Sequence, residues 1–91
     1  MKIVSKPIKT IAVFQYDDGT PMPYKFKVKG EMADPEEEIT VTVGSVLRHD
    51  RTRIAGKESI VYYCQSFIGD IEKRYELKYI ISECRWVLYK I

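Results

Sequence analysis

Alternation of apolar and polar residues is the dominant pattern along this chain. Residues 22–28 place apolar side chains at every second position with lysines between the later ones, and residues 39–43 alternate β-branched residues with threonine. Residues 74–79 alternate charged residues with large apolar ones. A period of two places the two sets of side chains on opposite faces of a β-strand. No comparable stretch has apolar residues at helical spacing, so the pattern predicts an all-β protein without a substantial helix.

Turn residues divide the chain into about six predicted strands. Gly19 supplies the positive φ that a tight turn needs, while Gly69-Asp70 and Ser82-Glu83 separate the last three strands. These short connections predict antiparallel hairpins between the first and second, the fourth and fifth, and the fifth and sixth strands. The strands are predicted at residues 8–16, 22–29, 39–47, 59–67, 71–81 and 84–91.

Two longer connections remain between these strands. Residues 30–38 contain Asp34-Pro35, a typical helix start, but the β-branched run that follows stops any helix after one turn. Residues 48–58 are predicted to form a polar, mostly basic loop. No repeat or linker interrupts the chain, so residues 1–91 are predicted to form a single domain.

The strand pattern predicts a small antiparallel barrel or a strongly curved sheet. The last three strands are apolar on both faces, which is typical of strands that are covered on both sides or that expose one face to a partner. The predicted core consists of Val13, Tyr24, Phe26, Val28, Val41, Val43, Tyr62, Cys64, Leu77, Tyr79, Trp86 and Leu88.

Composition agrees with a folded cytoplasmic protein. The chain is 45% hydrophobic and 31% charged, which excludes a disordered class. No apolar run reaches the ~18 residues of a membrane span, and the start of the chain lacks the apolar region of a signal peptide, so no membrane partner is expected. Two cysteines are too few for a disulfide framework. Reduced core thiols are favoured for Cys64 and Cys84, with a bridge between neighbouring strands as the alternative.

Candidate catalytic and metal-binding residues are few. His49 is the only histidine, and its neighbour Asp50 points to the opposite side of an extended chain, which disfavours a general-base pair. Neither Cys64 nor Cys84 forms a close-spaced ligand pair of the kind that zinc sites use. Residues 34–38 lack the ligand spacing and the glycine of a calcium loop. The sequence therefore predicts no enzyme, no metal and no cofactor.

Charge is unevenly distributed although the formal net charge is only +2. Six lysines lie in residues 1–30, five acidic residues and no basic ones lie in residues 31–47, and basic residues return in residues 48–57. The near-neutral total excludes a wholly basic nucleic-acid-binding protein but leaves room for a local basic surface. The candidate binding residues of that surface are Lys25, Lys27, Lys29, Arg48, Arg51 and Arg53.

Two interpretations of these basic residues remain open. Clustered bases that neutralise phosphates, with aromatic side chains for stacking, are typical of nucleic-acid binding. Lysines on an edge strand also prevent edge-to-edge aggregation, and the low net charge favours this second interpretation.

Four motifs resemble a family of small, uncharacterised bacterial all-β domains. They are GTPMPYKF at residues 19–26, VGSVL at 43–47, YEL at 75–77 and WVLY at 86–89. The resemblance implies a barrel, and because members sometimes accompany genes for error-prone DNA polymerases, it points towards nucleic acid. The family has no established catalytic residues to carry over. This chain departs from its pattern in the acidic segment 31–38, where a short turn is expected.

Two functions are therefore carried forward. The favoured one is a non-catalytic protein-interaction module, an adaptor or a homodimer, that uses an apolar face or a free strand edge to bind a protein partner. The alternative is a nucleic-acid-binding accessory domain that uses the basic strand face and loop.

Overall fold

The computed structural model describes residues 1–29 and 38–91, in which the chain forms eight β-strands. The turn expected around Asp34-Pro35 lies outside the described residues. The helical structure in the described part is one 3₁₀ turn, Ile81–Glu83, so the prediction of an all-β protein is confirmed there. No helix among these residues is long and apolar enough to span a membrane. The strands are β1 (Ile3–Pro7), β2 (Lys9–Phe14), β3 (Pro21–Lys29), β4 (Glu38–Thr42), β5 (Ser45–Ile54), β6 (Lys57–Ile68), β7 (Ile71–Ile80) and β8 (Arg85–Lys90).

The strands form two antiparallel sheets. The large sheet has the order β1-β8-β7-β6-β5, and the small sheet has the order β2-β3-β4. The three predicted hairpins are present as β2–β3, β6–β7 and β7–β8, and β3–β4 and β5–β6 are also paired. The two sheets do not close into a barrel, so the prediction of a barrel or a single curved sheet is wrong.

Two corners explain why there are eight strands rather than about six. Ile8 alone separates β1 from β2, and Val43-Gly44 separate β4 from β5. The strands on either side of each connection belong to different sheets, so the extended chain bends from one sheet into the other without forming a hairpin. The predicted strand 39–47 is therefore divided between two sheets. The predicted loop 48–58 is wrong as well, because most of it belongs to β5 and to the hairpin with β6.

The second corner is held by backbone and side-chain hydrogen bonds from both sheets. The Val43 amide donates to the Tyr24 carbonyl at 2.9 Å, and the Gly44 amide donates to Ser66 Oγ at 3.0 Å. A Cβ atom at position 44 would lie 2.8 Å from the carbonyl oxygen of Gln65. Real Cβ atoms do not approach backbone so closely, and glycine is therefore required for this packing.

The core lies between the two sheets. Phe26, Val28 and Val41 from the small sheet pack against side chains from β6, β7 and β8. Phe26 and Tyr75 meet edge to face with ring centroids 5.6 Å apart, a favourable geometry for two aromatic rings. The fully buried residues of the large sheet are Tyr62, Cys64, Tyr75, Leu77 and Leu88.

Most of the predicted core is confirmed, with instructive exceptions. Val43, Tyr79 and Trp86 are half-buried and pack against the core rather than within it. Val13 and Tyr24 are 54% and 55% exposed, so their assignment to the core is wrong. Ile60 and Tyr75 are buried and were not predicted. The buried predicted residues are Phe26, Val28, Val41, Tyr62, Cys64, Leu77 and Leu88.

A β-bulge in β3 explains the exposure of Tyr24. Lys25 pairs with Ile11 and Pro23 pairs with Ala12, which leaves Tyr24 as an extra residue without a partner in β2. Before the bulge the odd-numbered Pro23 is buried, whereas after it the even-numbered Phe26 is buried. One extra residue shifts the alternation by one position, so strict alternation assigns Tyr24 to the wrong face.

The two cysteines are both free thiols. Cys64 is buried in the core, whereas Cys84 is exposed, with a left-handed backbone at the end of the 3₁₀ turn. The disulfide alternative is therefore excluded, and the prediction of a core thiol holds only for Cys64.

Replacing Gly44 with alanine is expected to destabilise the protein by about 1–3 kcal/mol, because the new methyl group overlaps the Gln65 carbonyl. Denaturant unfolding followed by Trp86 fluorescence measures this change. Ser45→Ala, an exposed neighbour, is the matched control and should stay within about 0.5 kcal/mol of the wild type. Equal stability of the two variants would contradict the proposed role of the corner.

Alkaline pH is expected to destabilise the fold. Burial raises the pKa of Tyr75 from 10.0 to about 12 and that of the Cys64 thiol from 9.0 to about 12. Between these values the unfolded chain loses protons that the folded protein retains. The free energy of unfolding is therefore undiminished by these two groups below about pH 9, and it falls as the pH rises towards 12.

Tyr75→Phe tests this pH dependence. Urea unfolding over the alkaline range should give a shallower decline for Tyr75→Phe than for the wild type. Some decline should persist because burial also raises the pKa of Cys64. Tyr16→Phe, at a fully exposed position, should follow the wild-type slope. A decline that is unchanged in Tyr75→Phe rules out the buried hydroxyl as a source.

Candidate functional site

The predicted lysines share the outward face of the small sheet. Lys25, Lys27 and Lys29 alternate with the buried residues of β3. Lys9 on β2 lies directly opposite Lys27, and the Lys6 ammonium donates to the carbonyl of Lys29 at 3.0 Å. Because β3 is the central strand of its sheet, the interpretation of these lysines as protection of an edge is wrong.

A cleft of about 420 Å³ lies beside these lysines. It is lined by Lys6, Lys9, Lys27 and Lys29, with Pro7, Ile8 and Glu38 completing its walls. Lys9 forms an ion pair with Glu38 at 3.5 Å, and both side chains are exposed to solvent over part of their surface. Four lysines and one glutamate give the lining a net positive charge, which suits an anionic ligand, although most of its exposed surface is apolar.

The predicted arginines lie on β5, at the edge of the large sheet, and not in a loop. Arg48 Nε is 3.5 Å from the Asp50 carboxylate, and the Arg48 guanidinium stacks over the Tyr63 ring at 4.4 Å. Arg51 forms an ion pair with Glu58 at 3.5 Å, and Arg53 pairs with the same glutamate in the strand register. Acidic partners therefore neutralise part of this strand.

The structure does not unite the six predicted binding residues. The lysine face continues towards β1 through Lys6, whereas the arginines occupy β5, and these two strands are the opposite edges of the large sheet. Lys25, Lys27 and Lys29 form one group with Lys6 and Lys9, which the sequence alone did not bring together. Arg48, Arg51 and Arg53 form a second group.

An exposed apolar surface on the β2–β3 hairpin was missed by the sequence analysis. We call it the hairpin patch. All of its side chains are more than half exposed, and Tyr16 is fully exposed. Its sequence signal is an uncharged run at residues 10–16, which strand alternation had assigned partly to the core. The hairpin patch consists of Ile11, Val13, Phe14, Tyr16 and Tyr24.

Three residues of the hairpin patch lie on β2, whose outer edge is free: Ile11 and Val13 share the face of Lys25, and Phe14 lies on the opposite face. Within the described residues β2 pairs only with β3. The Gln15 amide donates to the Thr20 carbonyl at 3.1 Å, and hydrogen bonding alternates along an antiparallel pair. The backbone N–H and C=O groups of Ala12 and Phe14 therefore point away from β3, towards the free side.

The edges β2 and β5 differ in their protection. Four of the six residues at 48–53 on β5 are charged, and charged edges discourage pairing with another strand. Residues 10–16 on and after β2 carry no charge at all. β2 therefore combines unpaired backbone with an uncharged run that carries exposed apolar side chains.

The candidate general base His49 lies beside a carboxylate that is paired with another residue. His49 is exposed on β5, with its ring 5.6 Å from that of Tyr62. The Asp50 carboxylate, its possible partner, is paired with Arg48. The Asp18 carboxylate accepts the Thr20 amide at 2.9 Å, and this hydrogen bond lowers the pKa of Asp18. The described residues contain no group of three or more side chains that could hold a metal ion.

No family model, curated protein or solved structure matches this chain. The resemblance to small bacterial all-β domains therefore stays a prediction. The geometry of the lysine face and of the hairpin patch is the basis for inferring function.

Proposed function

We propose that the protein is a non-catalytic interaction module that binds another polypeptide through the hairpin patch and the free edge of β2. The observation that supports this most is the coincidence of unpaired backbone on β2 with three exposed apolar side chains of the same strand, Ile11, Val13 and Phe14. Addition of a strand to a free sheet edge is a common mode of peptide recognition. Main-chain hydrogen bonds supply affinity, and alternate side chains supply specificity.

The size of the hairpin patch supports this proposal. With ~150–250 Å² for a large side chain, the exposed fractions of Ile11, Val13 and Phe14 amount to roughly 300 Å² along β2. The largest apolar patch of a typical monomer is about 300–600 Å² and is often functional. An uncharged strand edge with this apolar area, next to free backbone groups, favours a polypeptide partner.

Val13→Lys is expected to abolish strand binding and leave the fold intact, because Val13 is exposed and a lysine there introduces charge into the free edge. The measurement is a selection from a displayed library of random peptides against the wild type. Selected peptides should shift the NMR signals of residues 10–16 and should bind Val13→Lys about tenfold or more weakly. Leu47→Lys, the same type of change at an exposed position on β5, is the matched control.

Two outcomes count against this proposal. Either the library yields no specific peptide, or the selected peptides bind Val13→Lys and the wild type equally well. Thermal unfolding of both lysine variants shows whether a loss of binding comes from a loss of structure.

A second function, nucleic-acid binding, is supported by the lysine face. On one side of the small sheet lie Lys6, Lys9, Lys25, Lys27 and Lys29, and four of them, all except Lys25, line a cleft with net positive charge. A row of ammonium groups on a sheet can follow a phosphate backbone. The exposed Tyr24, next to Lys25, offers an aromatic ring for stacking with a base.

Lys27→Gln is expected to weaken binding of mixed single-stranded DNA or RNA and to reduce the slope of log affinity against log salt by about one, because one phosphate contact is lost. NMR titrations at low and physiological ionic strength measure both quantities. Arg53→Gln, on the separate arginine group, should behave like the wild type. No binding at low salt, or an equal effect of the two substitutions, excludes the lysine face as a nucleic-acid surface.

A further inference from the structure

We propose that the occupant of the free β2 edge is a second copy of this chain, with the two β2 strands paired antiparallel about a two-fold axis at Ala12. This inference rests on the proposed function and names the partner. It joins the two small sheets into one six-stranded sheet with the order β4-β3-β2-β2-β3-β4.

The backbone of β2 is suited to this pairing. The N–H and C=O groups of Ala12 point to the free side, as derived from the Gln15–Thr20 hydrogen bond. On a two-fold axis the two Ala12 residues exchange both of their hydrogen bonds, as a hydrogen-bonded antiparallel pair does. Phe14, whose backbone groups point the same way, pairs with Thr10 of the second copy.

The side chains of β2 are complementary to themselves in this register. Ile11 lies opposite Val13 of the second copy, and Val13 lies opposite its Ile11. Both side chains are more than half exposed in the single chain, and both lie on the same face of β2 because they are two residues apart. They form non-hydrogen-bonded pairs, in which side chains of neighbouring strands come closest. All three residues of the run Ile11-Ala12-Val13 are apolar, so each strand presents apolar side chains to the antiparallel strand of the second copy.

Charge does not oppose this arrangement. Lys9 lies opposite the neutral Gln15 of the second copy, so no like charges face each other across the new pair. The lysine nearest to the new Ile11–Val13 pairs is Lys25, which lies opposite Ile11 on β3. Two such residues are separated by three strand spacings of ~4.8 Å, about 14 Å, which exceeds the Debye length of about 8 Å at physiological ionic strength. The net charge of +2 on each chain adds little repulsion.

The area available fits a weak, reversible dimer. If the roughly 300 Å² exposed by Ile11, Val13 and Phe14 is covered on both copies, the apolar total is about 600 Å². Stable specific interfaces begin at about 1,200 Å². We therefore expect a transient dimer that forms at high micromolar concentration and not an obligate one.

Sedimentation equilibrium of the full chain under reducing conditions tests the association. From about 10 μM to about 1 mM the wild type should convert from monomer to dimer, and higher salt should not weaken the dimer. Val13→Lys should remain monomeric over this range, whereas Leu47→Lys should associate like the wild type. A wild type that stays monomeric at the highest concentration, or a Val13→Lys variant that dimerises equally, overturns the proposal.

Cross-linking tests the register independently. In a Cys84→Ser background, Ile11→Cys and Val13→Cys chains are oxidised separately and as a mixture. The mixture should form a disulfide-linked dimer about tenfold faster than either variant alone, because only the mixed pair places two cysteines directly opposite each other. Equal rates in all three samples overturn this register.

Failure of the dimer and failure of the proposed function give different results. If the wild type is monomeric but selected peptides still bind at residues 10–16, the second copy is not the partner and the interaction module stands. If no peptide binds and no dimer forms, both proposals fail. If a dimer forms that cross-links equally well in all three samples, self-association is real but does not use this strand pairing.

Discussion

The corners at Ile8 and at Val43-Gly44 are the constraint on which the rest of this structure depends. At the second corner, the absence of a side chain on Gly44 lets the chain approach the Gln65 carbonyl, and Ser66 Oγ accepts its amide. Ser66 Oγ also lies 2.5 Å from the buried Tyr75 hydroxyl, which connects the corner to the core. The Ser66 hydroxyl therefore contacts both the corner at Gly44 and the buried Tyr75 of the core.

The same geometry creates the free edge. The Ile8 amide donates to the Trp86 carbonyl at 3.3 Å, the last backbone contact that the first corner makes with β8. Beyond this point β2 belongs to the small sheet, and its outer side has no neighbouring strand in the described part of the chain. The surface that we assign to a partner is thus a consequence of how the sheets are joined. A closed barrel would have left no such edge.

Much of the fold could be predicted from the sequence because burial imposes a period of two. Phe26, Val28 and Leu77 lie on inward faces as that pattern requires.

The corners could not be predicted, since Ile8 and Val43 look like ordinary strand residues and the change of sheet depends on contacts far along the chain. Residues 48–54 of β5 are predicted as part of a loop because an exposed edge strand has little apolar alternation to reveal it. The lysine row on β3 follows from alternation, but its union with Lys6 and Lys9 depends on tertiary structure. The hairpin patch could not be distinguished from core by pattern alone, because a sequence does not show what covers an apolar face.

Closed symmetry limits what the β2 edge can build. An uncharged strand edge that is left open can add further chains without limit, which is how aggregation begins. A two-fold pairing uses the β2 edge of both copies, so no free β2 edge remains on the dimer for a further chain to bind. Charges at 48–53 protect the β5 edge.

Because a two-fold axis perpendicular to the sheet keeps each face on its own side, the lysines of both copies lie on one surface of the joined sheet. An interaction module and a nucleic-acid surface are therefore compatible in this fold: the first uses the edge of the small sheet, and the second uses its outward face.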